Sequence, residues 1–200
     1  MSFQPTLEIK QTEQVVIGGV KGTGKSNLGK IITKFLIDSG CPVKLVDPLD
    51  EHKSFTDKCE ILPFRIGQSK EFDKYLGTLW GKWKGMLVVD EADSIFPNIP
   101  NTRLNFNSNY LCHYGRHYGI GLMCLTRRLS RLHADIVSQT SKLFMFKLFS
   151  SADFSYLKDC QLDEIVKLIP QLGDYEFIVL DTSKLNEERM FIHEPVPLYE

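Results

Sequence analysis

Residues Gly19 to Ser26 read Gly-Val-Lys-Gly-Thr-Gly-Lys-Ser and fit G-x-x-x-x-G-K-[ST] at every fixed position. Val15-Val16-Ile17 leads into the loop as a buried strand would. Leu28, Ile31, Ile32, Phe35 and Leu36 lead out of it at helical spacing. Strand, glycine loop and helix in that order leave few folds open, because the loop needs a sheet edge to stand on and a helix N-terminus to complete it.

The residue types explain what such a loop is for. Gly19, Gly22 and Gly24 let the backbone wrap closely, in conformations other residues resist. The exposed N–H groups and the positive end of the helix then face an anion. Lys25 adds a point charge for β- and γ-phosphates, and Ser26 offers a hydroxyl to Mg²⁺. Gly19, Val20, Lys21, Gly22, Thr23, Gly24, Lys25, Ser26 and Asn27 together form the expected nucleotide-binding segment.

Apolar runs and helical stripes alternate along the rest of the chain. Strands are expected at 13–18, 43–47, 61–66, 86–91, 121–126 and 142–149, with 175–181 and 189–193 forming a terminal hairpin. Helices are expected at 24–39, 68–83, 109–118, 151–160 and 161–169, with a loop at 94–109 and a basic loop and short helix at 127–139. The prediction is an α/β fold with a mainly parallel sheet flanked by helices, in one domain over residues 1–200, with an extended lead-in (1–12) and an extended tail (194–200). Ligands in such sheets bind beyond the carboxyl ends of the strands, where the loop, Asp47, Asp90-Glu91 and Thr126 would gather.

Met86-Leu87-Val88-Val89 runs unbroken into Asp90 and Glu91. Asp90 is placed to hold Mg²⁺ beside Ser26 through its water shell, and Glu91 to orient or deprotonate a water. A second acid after the metal acid favours hydrolysis over transfer to an acceptor. Thr126, ending the next apolar strand, is the natural polar sensor between water and γ-phosphate. The Asn-Lys-x-Asp guanine reader of signalling GTPases is absent. The expected ligands are therefore ATP and Mg²⁺.

Formal net charge is −1, so contact with nucleic acid must come from a local basic patch. Arg127, Arg128, Arg131 and His133 form the densest one, open to DNA, to a neighbour's nucleotide or to solvent alone. No apolar stretch has membrane-spanning length, and the start lacks a signal-peptide core; both predict an intracellular chain without direct membrane insertion. The five cysteines are scattered and predict reduced thiols. His113 and His117 lie four apart without a matching acidic or cysteine cluster. Trp80 and Trp83 read as core residues more than as a partner surface.

The order of GVKGTGKS, Val46-Asp47-Pro48, Leu87 to Asp93 and GRHYGIGLMCLTRRLSRLHADIVSQT at Gly115 to Thr140 resembles the FtsK/HerA superfamily of DNA-pumping ATPases. The likeness is strongest to the small genome-packaging ATPases of archaeal icosahedral viruses with an internal membrane. It implies a RecA-like core, a homo-oligomeric ring (pentamer or hexamer) and double-stranded DNA in its pore. It also implies docking on capsid or membrane-vertex proteins, and residence in host cytoplasm or virion. Arg116, in the Gly-Arg-His stretch, matches an arginine that reaches the adjacent subunit's nucleotide in the family. Many relatives carry Thr-Gln-Arg-Pro where this chain has Thr126-Arg127-Arg128-Leu129. Arg127 thus replaces a Gln that contacts the γ-phosphate, and Thr126 and Arg127 share the sensor role. Arg127 and Arg128 also compete with Arg116 for the role in trans.

Overall fold

The computed structural model describes residues 9–184 and 189–199. Among the described residues eight strands form one sheet: β1 (Gln14–Gly18), β2 (Val43–Val46), β3 (Glu60–Leu62), β4 (Gly85–Val89), β5 (Ile120–Thr126), β6 (Lys142–Met145), β7 (Phe177–Asp181) and β8 (Met190–His193). Their spatial order is β3-β2-β4-β5-β1-β6-β7-β8. The first six are parallel; β7 runs antiparallel to β6, and β8 antiparallel to β7. The expected terminal hairpin is therefore present, and it extends the main sheet.

Alternation along each strand sends side chains to two different cores. Val16, Leu87, Val89, Leu122, Cys124 and Leu143 face one, while Val15, Ile17, Met86, Val88, Met123 and Leu125 face the other. Both faces are buried, which is why these strands read as continuous apolar runs. The second face is covered by α1 (Lys25–Asp38), which buries Leu28, Ile32 and Leu36. Each such side chain contributes about 1.5–3 kcal/mol when fully buried. Gly29 permits the contact: a methyl built there would lie 2.4 Å from Leu125 Cδ2.

The first face carries α2 (Ser69–Leu79), α3 (Ala92–Ile95), α4 (Phe106–Tyr114), α5 (Ala134–Ser138), α6 (Ser151–Asp159) and α7 (Asp163–Leu168). The loop expected over 94–109 is shorter than the sequence suggests, because α4 starts at Phe106. The cause is tertiary. Asp73 on α2 accepts hydrogen bonds from the Ser108 N–H (2.7 Å) and hydroxyl (2.8 Å) and from Asn107 Nδ2 (3.2 Å). A buried carboxylate from another helix thus satisfies the first turn of α4. Trp80 packs edge-on to Tyr110 and donates Nε1–H to Asn107, as a core residue.

Several strands are shorter than expected: β3 ends at Leu62, β4 at Val89 and β6 at Met145, and β7 begins at Phe177. Past β6 the chain runs beside the phosphate loop, where the Lys147 carbonyl accepts the Val20 N–H. The lead-in lies outside the described residues up to position 8. At 11–12 the chain turns instead of extending, with the Glu13 N–H on the Lys10 carbonyl. Residues 194–199 have no regular structure, and Glu200 lies outside the described residues. All five cysteines are free. Burial pushes the Cys112 thiol up to about 12, which keeps it protonated and inert.

Candidate active site

The loop after β1 is fixed at its base by both neighbouring strands. Gly19 donates its N–H to the Thr126 carbonyl at the end of β5, and Val20 donates to the Lys147 carbonyl just past β6. Thr23 closes the loop internally through its hydroxyl to the Val20 carbonyl (2.8 Å). Gly22 (φ +85°) and Gly24 (φ +101°) adopt the left-handed conformation, as expected of loop glycines. Gly19 is a glycine for a different reason: a Cβ there would come within 2.6 Å of Phe146 Cβ and 2.9 Å of the Thr23 hydroxyl. Lys21 is exposed at the rim, and Ser26 sits partly exposed in the first turn of α1. The Asn27 side chain is held by the C-terminal tail: Nδ2 donates to the Pro197 carbonyl (2.8 Å), and Oδ1 accepts the Tyr199 N–H (2.7 Å).

Lys25 is buried at 4% exposure, and its Nζ lies 3.9 Å from Oδ1 of Asp90. Two residues 65 positions apart in sequence meet because β1 and β4 are separated only by β5. Asp90 is buried as well. Its Oδ2 accepts Nε2–H of His52 (2.8 Å), and its Oδ1 accepts the Glu91 N–H (2.8 Å). Burial pushes the Asp90 carboxyl up, but the His52 hydrogen bond and the Lys25 charge outweigh it. The group ends below the usual carboxylate range and ionised.

His52 was not legible as a site residue. It lies in the loop after β2, without a motif, and is 1% exposed. Asp47, at the end of β2, shapes that loop by accepting the backbone N–H groups of Glu51 (3.0 Å) and His52 (2.8 Å). Asp47, His52 and Asp90 bring one ligand atom each within 4.8 Å of one another. His113 and His117, by contrast, are exposed and apart from any such group among the described residues.

Glu91 takes φ +47° and ψ +43°, which turns its side chain away from the strand axis. A non-glycine residue in this region costs about 1 kcal/mol or more and persists where surrounding structure enforces it. Here the Asp90 carboxylate holds the Glu91 N–H. Burial, and then the Asp90 charge, push the Glu91 carboxyl above its ordinary value, while Arg127 and Lys25 pull it back. A carboxyl raised in this way is suited to take a proton from water.

Arg127 Nη2 stands 2.6 Å from Glu91 Oε1, without the alignment of a directed hydrogen bond, and 3.7 Å from Glu51 Oε1. Thr126 is fully buried. Its hydroxyl donates to Asp93 Oδ1 (2.8 Å) and accepts the Arg128 N–H (3.2 Å). The expected basic cluster is divided by its surroundings. His133 is buried beneath the Thr102 carbonyl (3.2 Å), Arg127 faces Glu91, and Arg128 and Arg131 are exposed.

Arg116 stands apart from these residues. It lies in a 3-10 turn (Gly115–Tyr118) that precedes β5, at the strand end opposite Thr126. Seven residues of strand separate the two ends, about 20 Å at ~3.3 Å per residue. A cleft of about 440 Å³ opens beside Glu91, walled by Ile66, Asp93, Ser94, Pro97, Asn98 and Arg131.

The residues present fit a magnesium–triphosphate group. A glycine loop open above Gly22, a buried lysine, a hydroxyl and an ionised buried carboxylate converge on one sheet edge.

No protein-family model matches the chain. Among curated proteins it is 26% identical over 101 residues to the probable DNA double-strand break repair helicase HerA of Methanocaldococcus jannaschii. It is 28% identical over 97 residues to a probable helicase of the same organism. These matches take in 49% and 47% of this chain, which spans about a fifth of the curated relatives' length (20% and 19%). Among solved structures it is similar to the genome packaging NTPase B204 from Sulfolobus turreted icosahedral virus 2, with TM-score 0.80 and 20% identity over 94% of this chain and 99% of the other. The pCW3 conjugation coupling protein TcpA matches with TM-score 0.63 and 13% identity over 86% of this chain and 58% of that one. The resemblance read from the motifs thus extends to the architecture: the chain has the P-loop NTPase fold shared with these proteins.

Proposed function

We propose that this chain is a Mg²⁺-dependent ATPase of one domain that assembles as a ring and moves double-stranded DNA, packaging a viral genome into a capsid. The observation that carries the hydrolytic part is the convergence of Lys25, Asp90 and Glu91 at the ends of β1 and β4. The DNA part draws on the similar proteins, which are named as a genome packaging NTPase, a conjugation coupling protein and a repair helicase.

The backbone of Gly19–Ser26 and the Lys25 ammonium hold the triphosphate. Ser26 and Asp90 would hold Mg²⁺, which neutralises charge on the β- and γ-oxygens when bound. His52 keeps the Asp90 carboxylate oriented. Glu91 accepts the proton of the attacking water as the bond from γ-phosphorus to the bridging oxygen breaks. Growing charge on the γ-phosphate calls for a further cation. Arg127 is the near cation in the same subunit, but it is engaged by Glu91. The role in trans, on a neighbour's nucleotide, falls in this reading to Arg116, which lies at the far end of its own β5.

Arg127 also favours a gated enzyme over a constitutive one. While it pairs with Glu91, the base is not free to turn to a water. Slow turnover in isolation and faster turnover on DNA follow. With net charge −1, DNA contact rests on a few arginines per subunit, so binding is weak, blind to sequence and salt-sensitive until a ring multiplies it.

The test is ATP turnover with and without double-stranded DNA across a salt series, beside Lys25→Ala. DNA-stimulated turnover that fades with salt and vanishes in Lys25→Ala is expected. Turnover indifferent to all DNA would leave an assembly switch in place of a motor. Normal turnover in Lys25→Ala would remove the phosphate site itself.

A further inference from the structure

The sheet order decides in which direction a bound nucleotide must lie. Asp90, Glu91 and Thr126 stand on β4 and β5, all on one side of β1. The γ-phosphate end therefore points that way. The sugar and base must leave toward β6, β7 and β8. Strand register brings one row of residues level along this edge: Thr126, Gly18, Met145, Ile178 and Ile192. The turn before β7 and the tail after β8 both emerge at the same edge as the phosphate loop, about 10–15 Å from it at ~4.8 Å per strand.

Tyr175 occupies that turn. It is 57% exposed, although it is large and aromatic. A methyl built on Gly24 would lie 3.4 Å from Cδ1 of Tyr175, so the ring stands against the junction of loop and helix. The turn that presents it is closed on both sides. Glu176 accepts the Gly173 N–H, and Asp174 pairs with Lys147 Nζ at 2.9 Å. The backbone at Tyr175 has φ +63°, a conformation that glycine or asparagine takes with less strain. A turn that holds an exposed ring in a strained conformation beside an anion site presents the ring to a ligand. Across α1, the tail bound to Asn27 and packed through Tyr199 on Phe55 borders the same first turn.

We propose that Tyr175 is the platform on which the base of a bound nucleoside triphosphate stacks. The proposal rests on the phosphate-site reading above and gives the ligand its second anchor. Stacking accepts any base, because every base has a π-face. The platform therefore selects nucleotides over bare triphosphate, without separating adenine from guanine.

The experiment is calorimetric titration of ATP, GTP and inorganic tripolyphosphate, each with Mg²⁺, into wild type, Tyr175→Phe and Tyr175→Asn. Asparagine tolerates the backbone conformation while removing the ring, so loss of binding is not loss of fold. Tyr175→Asn should bind both nucleotides about tenfold more weakly, the lower range of base–aromatic stacking. Its tripolyphosphate affinity should match wild type, and Tyr175→Phe should match wild type throughout. Unchanged nucleotide affinity in Tyr175→Asn overturns the platform, and so does an equal loss for tripolyphosphate. Wild type that binds neither ATP nor tripolyphosphate overturns the underlying phosphate site instead.

Discussion

Arg127→Gln installs at position 127 the Gln that the family resemblance implies, and it removes the cation from Glu91. The pair is 2.6 Å apart, with Arg127 35% exposed and Glu91 13% exposed. At an effective dielectric of about 20, unit charges at this range attract by several kcal/mol. Arg127 is over a third exposed, so solvent screens most of that, leaving about 1 kcal/mol. One kcal/mol is about fivefold in an equilibrium constant. If Glu91 must leave Arg127 before it can reach a water, Arg127→Gln should raise DNA-free turnover by about fivefold. DNA stimulation should shrink by a similar factor. A second readout follows from charge. Glu91 works as a base only when ionised, so turnover falls as pH drops through its pKa. Arg127 pulls that pKa down against burial and Asp90, so its loss shifts the acid limb to higher pH. The assay is steady-state phosphate release across pH, with and without DNA. A fall in DNA-free turnover as deep as that of Glu91→Gln would refute the gate and place Arg127 on the phosphate.

The other predictions use the same site. Glu91→Gln should bind ATP and fail to turn it over, whereas Asp90→Asn should mainly raise the Mg²⁺ concentration needed; equilibrium binding and Mg²⁺ titration separate the two. His52→Ala removes the Asp90 partner inside a buried pair, so urea unfolding should show a loss of about 1–3 kcal/mol together with weaker Mg²⁺ use. An unchanged unfolding midpoint would show that His52 is dispensable to Asp90. Arg116→Ala subunits should regain hydrolysis when mixed with Glu91→Gln subunits, since each supplies what its neighbour lacks. Absence of rescue in rings confirmed to be mixed would move the trans role to Arg127 or Arg128.

The local signals were sufficient for the loop and the sheet. A glycine motif between an apolar strand and an amphipathic helix specifies a phosphate-type turn, because each glycine answers a backbone demand that nearby residues impose. Unbroken apolar runs specified strands buried on both faces. Asp90 and Glu91 were legible because they end such a run. His52 was not, since nothing near it in sequence refers to Asp90; the β2–β4 pairing, Val46 against Val89, brings its loop alongside. The same holds for α4, whose start depends on Asp73 from another helix.

Residue types and periodicity thus determined which segments form elements and which have the residue types of a phosphate site, because propensity, glycine conformation and apolar spacing act within a few positions of the chain. Tertiary structure decided what each charged group faces. Arg127 could be read as a sensor, a finger or a DNA contact until the β4–β5 pairing set it against Glu91. Tyr175 read as the first residue of a hairpin strand, but β7 begins only at Phe177, and antiparallel pairing returns the turn that holds Tyr175 to the loop's edge. Electrostatic and stacking partners are chosen by distance in space, and strand order, which no local pattern encodes, sets those distances.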